Sequence, residues 1–179
     1  MRTNVRKLSL TALFAVIALI IFIVEAQIPL PVNAPGLKLG LANIIILFML
    51  FLGGMWKTQD IFMVFLVRVL LAALITGNAQ ALLFSFTGGL FALLVMLSMR
   101  TAFKGAAIPV VSVAGAIAHN AGQITVAALI TSAGVFVYLP ALVAGGIISG
   151  LLTGFAVYFI YKAHPKFISY IGGMNNDIR

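Results

Sequence analysis

Residues 8–28 read LSLTALFAVIALIIFIVEAQI. Roughly 20 mainly apolar residues are what a helix needs to cross the hydrocarbon core of a bilayer, and the one charge in this run is Glu25, near its end. The basic MRTNVRK before it and the small residues Val32-Asn33-Ala34 after it resemble the flanks of a cleaved secretory signal. A signal's apolar region is shorter, however, about 7–15 residues. Cleavage would also remove a span and spoil the charge pattern described below. The segment is therefore expected to remain as a membrane helix, and it sets the terms for the whole chain.

Composition agrees. Of 179 residues, 63% are hydrophobic and 8% charged, with a mean hydropathy of +1.22, whereas about a quarter of a soluble domain is charged. The absence of cysteine excludes a disulfide framework, a thiolate metal site and a cysteine nucleophile. A formal charge of +8 raises the question of nucleic acid. The basic residues are spread among short loops without interleaved aromatics, so no nucleic-acid partner is expected.

Beyond 8–28, apolar runs of spanning length fall at roughly 39–55, 58–76, 80–98, 106–132 and 139–161. The expectation is a single six-helix, all-α integral membrane domain over 1–179. With the N-terminus inside, the inner segments hold Arg2, Arg6, Lys7, Lys57, Arg100, Lys104, Lys162, Lys166 and Arg179. Lys38 alone lies outside, and Arg68 falls within the third span. By the positive-inside rule both termini are then cytoplasmic. The outer loop PLPVNAPGLKLG, with Pro29, Pro31 and Pro35, either folds over the bundle or serves as a stiff connector.

Small residues recur along three spans. Gly146, Gly150 and Gly154 share one face of the last, and Ala114, Ala118 and Gly122 make a similar row in the fifth. Such rows let backbones approach closely in lipid, and packing within the chain is the expected use of both. On the first span, Ala12, Ala15 and Ala18 form a patch suited equally to internal packing or to docking another subunit.

Polar residues at depth carry the functional signal. Arg68 is mid-span, where an arginine costs about 2.5–3.5 kcal/mol on a translocon scale. His119, Asn120 and Gln123 lie within the stretch GAIAHNAGQITVAAL, residues 115–129, spaced so that all can turn toward one sector of a helix. Glu25, Gln27, Lys38, Asn43, Asn78 and Gln80 lie near the outer ends. A water-accessible pocket open to the outside would satisfy all of them, with Arg68, His119, Asn120 and Gln123 at its floor and Asn43, Asn78 and Lys38 nearer the rim. Phe65 and Phe84 would supply apolar walls. The alternative is that these groups only bond to neighbouring helices.

Catalytic signals are missing. The three acidic residues, Glu25, Asp60 and Asp177, are far apart and form no magnesium-binding run. No nucleotide loop, metal-ligand spacing or nucleophile triad is present, and Gly88-Gly89 lacks the strand and lysine of a phosphate loop. No cofactor is expected.

The stretches PGLKLGLANIIIL, LLFSFTGGLFALLVM and VSVAGAIAHNAGQ together resemble the Gx transporter family, also named heptaprenyl diphosphate synthase component I, over roughly residues 8–160. The resemblance implies an S component of an energy-coupling factor (ECF) transporter in the bacterial plasma membrane. Such a protein captures a small vitamin-like molecule or a quinone or isoprenoid precursor from outside, with prenyl phosphates among the open candidates, and works with a transmembrane T component and two cytoplasmic ATPases. It further implies that Ala12, Ala15 and Ala18 contact the T component and that the loop over residues 29–40 closes on the ligand. The family's second name implies instead a non-catalytic accessory subunit of heptaprenyl diphosphate synthase in menaquinone biosynthesis.

Overall fold

Where water is absent, a chain must satisfy its own backbone N–H and C=O groups, and helices do so within each segment. The computed structural model of the protein describes residues 2–28, 40–102 and 107–173, and every regular element among them is helical. In chain order these are α1 (Arg2–Glu25), α2 (Asn43–Leu52), α3 (Thr58–Thr76), α4 (Ala79–Ala102), α5 (Ile108–Ile130), a single 3₁₀ turn (Ala133–Tyr138), α6 (Leu139–Ala163) and α7 (Pro165–Gly172). Five helical segments, all except α2 and α7, are long and apolar enough to cross a membrane. Large apolar side chains such as Leu74, Leu129, Leu152 and Phe159 stand on their outer surfaces. In water that surface would drive aggregation; in lipid it is the ordinary exterior. The protein is a multi-pass membrane protein.

The second run departs from expectation. Instead of a full span over 39–55, α2 has ten residues, about 15 Å of helix. Its sequence NIIILFMLFL is apolar all round because it touches every other helix of the bundle. Ile46, Leu47, Met49, Leu50 and Leu52 are all buried. Gly53 and Gly54, both at φ 61°, end it with a turn that other residues rarely adopt.

Although short, α2 belongs to a strand of chain that runs the length of α1. At one end, the backbone N–H groups of Gly40 and Ala42 donate to the Glu25 carboxylate, at 2.5 and 3.3 Å. At the other, the N–H of Lys57 donates to the Asp60 carboxylate at 2.7 Å, and Asp60 pairs with Lys7 at 2.6 Å. Lys7 and Glu25 are about 27 Å apart along a straight helix. Residues 40–57 therefore run from one end of α1 to the other as a short helix between turns.

Helix α7 closes the Lys7 end. Trp56 Nε1 donates to the carbonyl of Ile171 at 3.1 Å, and Met55 N to that of Gly172 at 2.7 Å. Arg6 lies over the Tyr170 ring, 4.1 Å from its centroid, and donates to the Tyr170 carbonyl. At the same end, the Arg100 guanidinium stands 5.8 Å from the Phe51 ring. The cations of the described chain ends thus gather on one side, away from Glu25.

Helix α5 lies between α4 and α6, its two main neighbours. The glycine row on α6 faces it: a Cβ on Gly150 would sit 2.6 Å from the Cα of Val113, and one on Gly154 2.6 Å from the Cα of Pro109. Those backbones are in direct contact, as the spacing predicts. On the other side, a Cβ on Gly122 would meet the carbonyl oxygen of Thr87 at 2.9 Å. The alanine patch on α1 requires a correction. Ala15 and Ala18 are buried inside the bundle, where α1 packs chiefly on α3, and Ala12 alone is exposed. Side chains already covered by their own chain offer no surface to another subunit.

Candidate functional site

Arg68 sits on the inward face of α3, in line with Ile61, Val64, Phe65 and Ala72. Only 2% of it is exposed. Its guanidinium lies 5.9 Å from the ring centroids of both Phe22 and Phe65. Helix α4 makes room for it with a glycine, since a Cβ on Gly89 would come within 2.4 Å of the Phe65 ring and 3.2 Å of Arg68 Nη2. Arg68 Nε and Nη2 are buried with no hydrogen-bond partner.

His119 is held between two more glycines. A Cβ on Gly40, at φ 80°, would fall 2.7 Å from the ring, and one on Gly88 would fall 2.9 Å from it. The Asn43 side-chain nitrogen is 3.1 Å from His119 Nδ1. An amide NH₂ can only donate, so Nδ1 accepts and a neutral ring carries its proton on Nε2. One turn on, Gln123 is 1% exposed, with its Cγ against the same Gly88.

These side chains converge on one small cavity. Its polar lining is Glu25, Arg68, Ser85, His119 and Gln123, and Phe22 and Phe84 flank it. Contributions come from α1, α3, α4 and α5 and from the turn at Gly40. The cavity measures about 10 Å³, close to the minimum that holds one water. Arg68 and Glu25 line it together, with Arg68 Nε and Nη2 unpartnered. The site is a buried positive and a buried negative group facing one space.

The expected site therefore divides. Arg68, His119, Gln123 and Asn43 come together, with Asn43 reaching the cavity through His119. Asn120 does not: its Nδ2 donates to the carbonyl of Leu142 on α6 at 2.7 Å, and its Oδ1 is unpartnered. It belongs to the joint between α5 and α6. Asn78 is exposed and caps α4, accepting from the N–H groups of Gln80 and Ala81 at 2.9 and 3.2 Å. A cap oxygen turned into its own helix is no longer available at the rim. Lys38 and the rest of the loop over 29–39 lie outside the described residues, as does Lys104.

Glu25, Ser85 and the three glycines are the additions. Glu25 was legible as a rim residue but not as the clasp of the turn at Gly40. The signal for Gly88 and Gly89 was their place in the middle of an apolar span, where paired glycines mark a close approach. A second void of about 10 Å³, between α2, α5 and α6, is lined by Asn43, Ser112, Ser149 and Thr153 among others. Ser112 and Thr153 share a hydroxyl–hydroxyl bond of 2.9 Å there. Among the described residues no group of three or more His, Asp or Glu side chains could hold a metal ion.

No curated protein and no solved structure matches the chain. One family model does, over residues 14–160. That match takes in the whole site and four of the five long apolar helices complete or nearly so, and its description agrees with the resemblance carried by PGLKLGLANIIIL and GAIAHNAGQ. The chain belongs to the family described as heptaprenyl diphosphate synthase component I.

Proposed function

We propose that the protein is the substrate-binding S component of an ECF-type uptake transporter in the bacterial plasma membrane. It would capture a small molecule from outside and deliver it with a T component and two cytoplasmic ATPases. The observation that carries this reading is Arg68, buried with Nε and Nη2 unpartnered, lining a cavity together with Glu25, His119 and Gln123. Ionisable groups are kept at membrane depth chiefly where a ligand or ion meets them. The reading takes residues 40–57 as a sixth crossing, with both termini cytoplasmic. Support comes from the traverse between Glu25 and Lys7 and from the gathering of Arg6, Lys7 and Arg100 at the end opposite Glu25. In this orientation the cavity lies in the outer half, near the Gly40 turn. Of the three alanines on α1, Ala12 alone stays open to a T component.

The test is uptake into proteoliposomes. The chain by itself should bind but not accumulate the molecule that co-purifies with it, while a T component and two ATPases should confer ATP-driven accumulation. Concentrative uptake by the chain alone, or none with the full module, would refute the proposal. A second reading, a non-catalytic membrane subunit of heptaprenyl diphosphate synthase, is favoured by the family's description. It requires that the chain raise heptaprenyl diphosphate synthesis by a soluble partner with no ATPase present.

A further inference from the structure

Resting on the reading of this cavity as a ligand site, we propose that its ligand binds through a carboxylate carrying no more than one net negative charge, and that a diphosphate is excluded. Two of the guanidinium's N–H-bearing atoms, Arg68 Nε and Nη2, are the ones without partners. These lie along one edge of the planar fork, the edge whose spacing matches the two oxygens of a carboxylate. A lysine at this place would offer a point charge instead. Leaving a charged donor unpaired in a buried site is expensive, so the group that pairs with it gains correspondingly.

The second half of the proposal comes from Glu25. Its carboxylate lines the same cavity and is fixed there by the N–H groups of Gly40 and Ala42. Among the described residues, Arg68 is the only Lys or Arg in the lining, and the Glu25 carboxylate opposes it there. A multiply charged diphosphate would meet one cation and one opposing carboxylate in a low-dielectric space, where like charges repel strongly. A monocarboxylate restores the pairing of Arg68 without adding a second uncompensated charge. Ser85, His119 and Gln123 add polar contacts around it, and Phe22 and Phe84 flank the body of the molecule. Because the cavity has room for about one water, binding requires side chains or the Gly40 turn to move outward.

The experiment uses the full chain in detergent, with sodium acetate and sodium pyrophosphate as probes at matched ionic strength against chloride. Acetate is expected to raise the melting temperature, an effect lost in Arg68→Met and reduced in Arg68→Lys, which keeps the charge but not the fork. Pyrophosphate should have no effect on the wild type and should gain one in Glu25→Gln, where the opposing charge is removed. Mass spectrometry of the co-purifying molecule should find a carboxyl group, with recovery from Arg68→Lys reduced at least about tenfold. The proposal is overturned if acetate gives no shift, if its shift survives both Arg68 variants, if pyrophosphate protects the wild type, or if the molecule recovered is a phosphate ester or lacks a carboxyl. A carboxylate held by Arg68 that no T component and ATPases can move would sink the transport reading and leave this site standing. ATP-driven uptake of a diphosphate would do the reverse.

Discussion

Arg68 and His119 keep their positions because three glycines give way to them. Gly89 admits Phe65 and Arg68, and Gly40 and Gly88 sit on either side of the His119 ring. Gly88→Ala would bring a Cβ within 2.9 Å of both His119 and Gln123, so we expect it to weaken ligand binding by at least about tenfold, read by equilibrium binding. Asn43→Leu removes the donor to buried His119 Nδ1. Leaving such an acceptor unpaired costs about 1–3 kcal/mol, measurable as a lowered melting temperature. At this scale the sequence showed which side chains were out of place in lipid, because burial of Arg68, His119 or Gln123 requires a reason wherever it occurs. It did not show which neighbour each would meet. Asn120 and Gln123 satisfy the same helical spacing, yet one bonds α6 and the other lines the cavity. Asn78 has the residue type of both a rim ligand and an N-cap, and only the start of α4 at Ala79 decides between them.

Among the elements, α3 was the most legible: its expected range, 58–76, is the helix Thr58–Thr76. Gly77, at φ 60°, ends it in the left-handed conformation, with its N–H on the Ala73 carbonyl at 2.9 Å. The row Gly146, Gly150, Gly154 was legible for a similar reason, since a four-residue repeat names a face. Gly150→Leu should therefore disrupt the α5–α6 contact and lower the yield of folded protein. By contrast α2 was misjudged in length, because apolarity cannot separate a lipid-facing span from a short helix enclosed on all sides. Of the two uses left open for the alanines of α1, Ala15 and Ala18 take the internal one. Ala15→Leu inserts bulk into the core, which costs about 1–3 kcal/mol, and should reduce thermal stability whether or not a partner is present. Ala12→Leu should leave the fold intact and weaken only assembly with a T component, as read by co-purification of the complex.

For the whole molecule, the polarity of the bundle links topology to function. Cations gather at the end closed by α7, and the Glu25 clasp and the cavity lie toward the other. The chain has no cysteine, so single cysteines report sidedness without background. In intact cells, Asn78→Cys is expected to react with an impermeant thiol reagent, and Lys57→Cys and Lys166→Cys only after the membrane is opened. Reaction of Lys57→Cys from outside would invert the assignment and put the cavity in the inner half. Five of the six expected spans correspond to helices long and apolar enough to cross a membrane, and the run over 39–55 holds a ten-residue helix between turns instead. The account rests most heavily on the claim that the polar groups of α5 serve a ligand on one face and packing on the other. The most direct measurement is equilibrium binding of the co-purifying molecule to Gln123→Leu and Asn120→Leu, each shown to be folded by its melting transition. The account predicts that Gln123→Leu loses at least about tenfold in affinity while Asn120→Leu stays within about twofold of the wild type. Equal affinities in both variants, or a loss confined to Asn120→Leu, would contradict it.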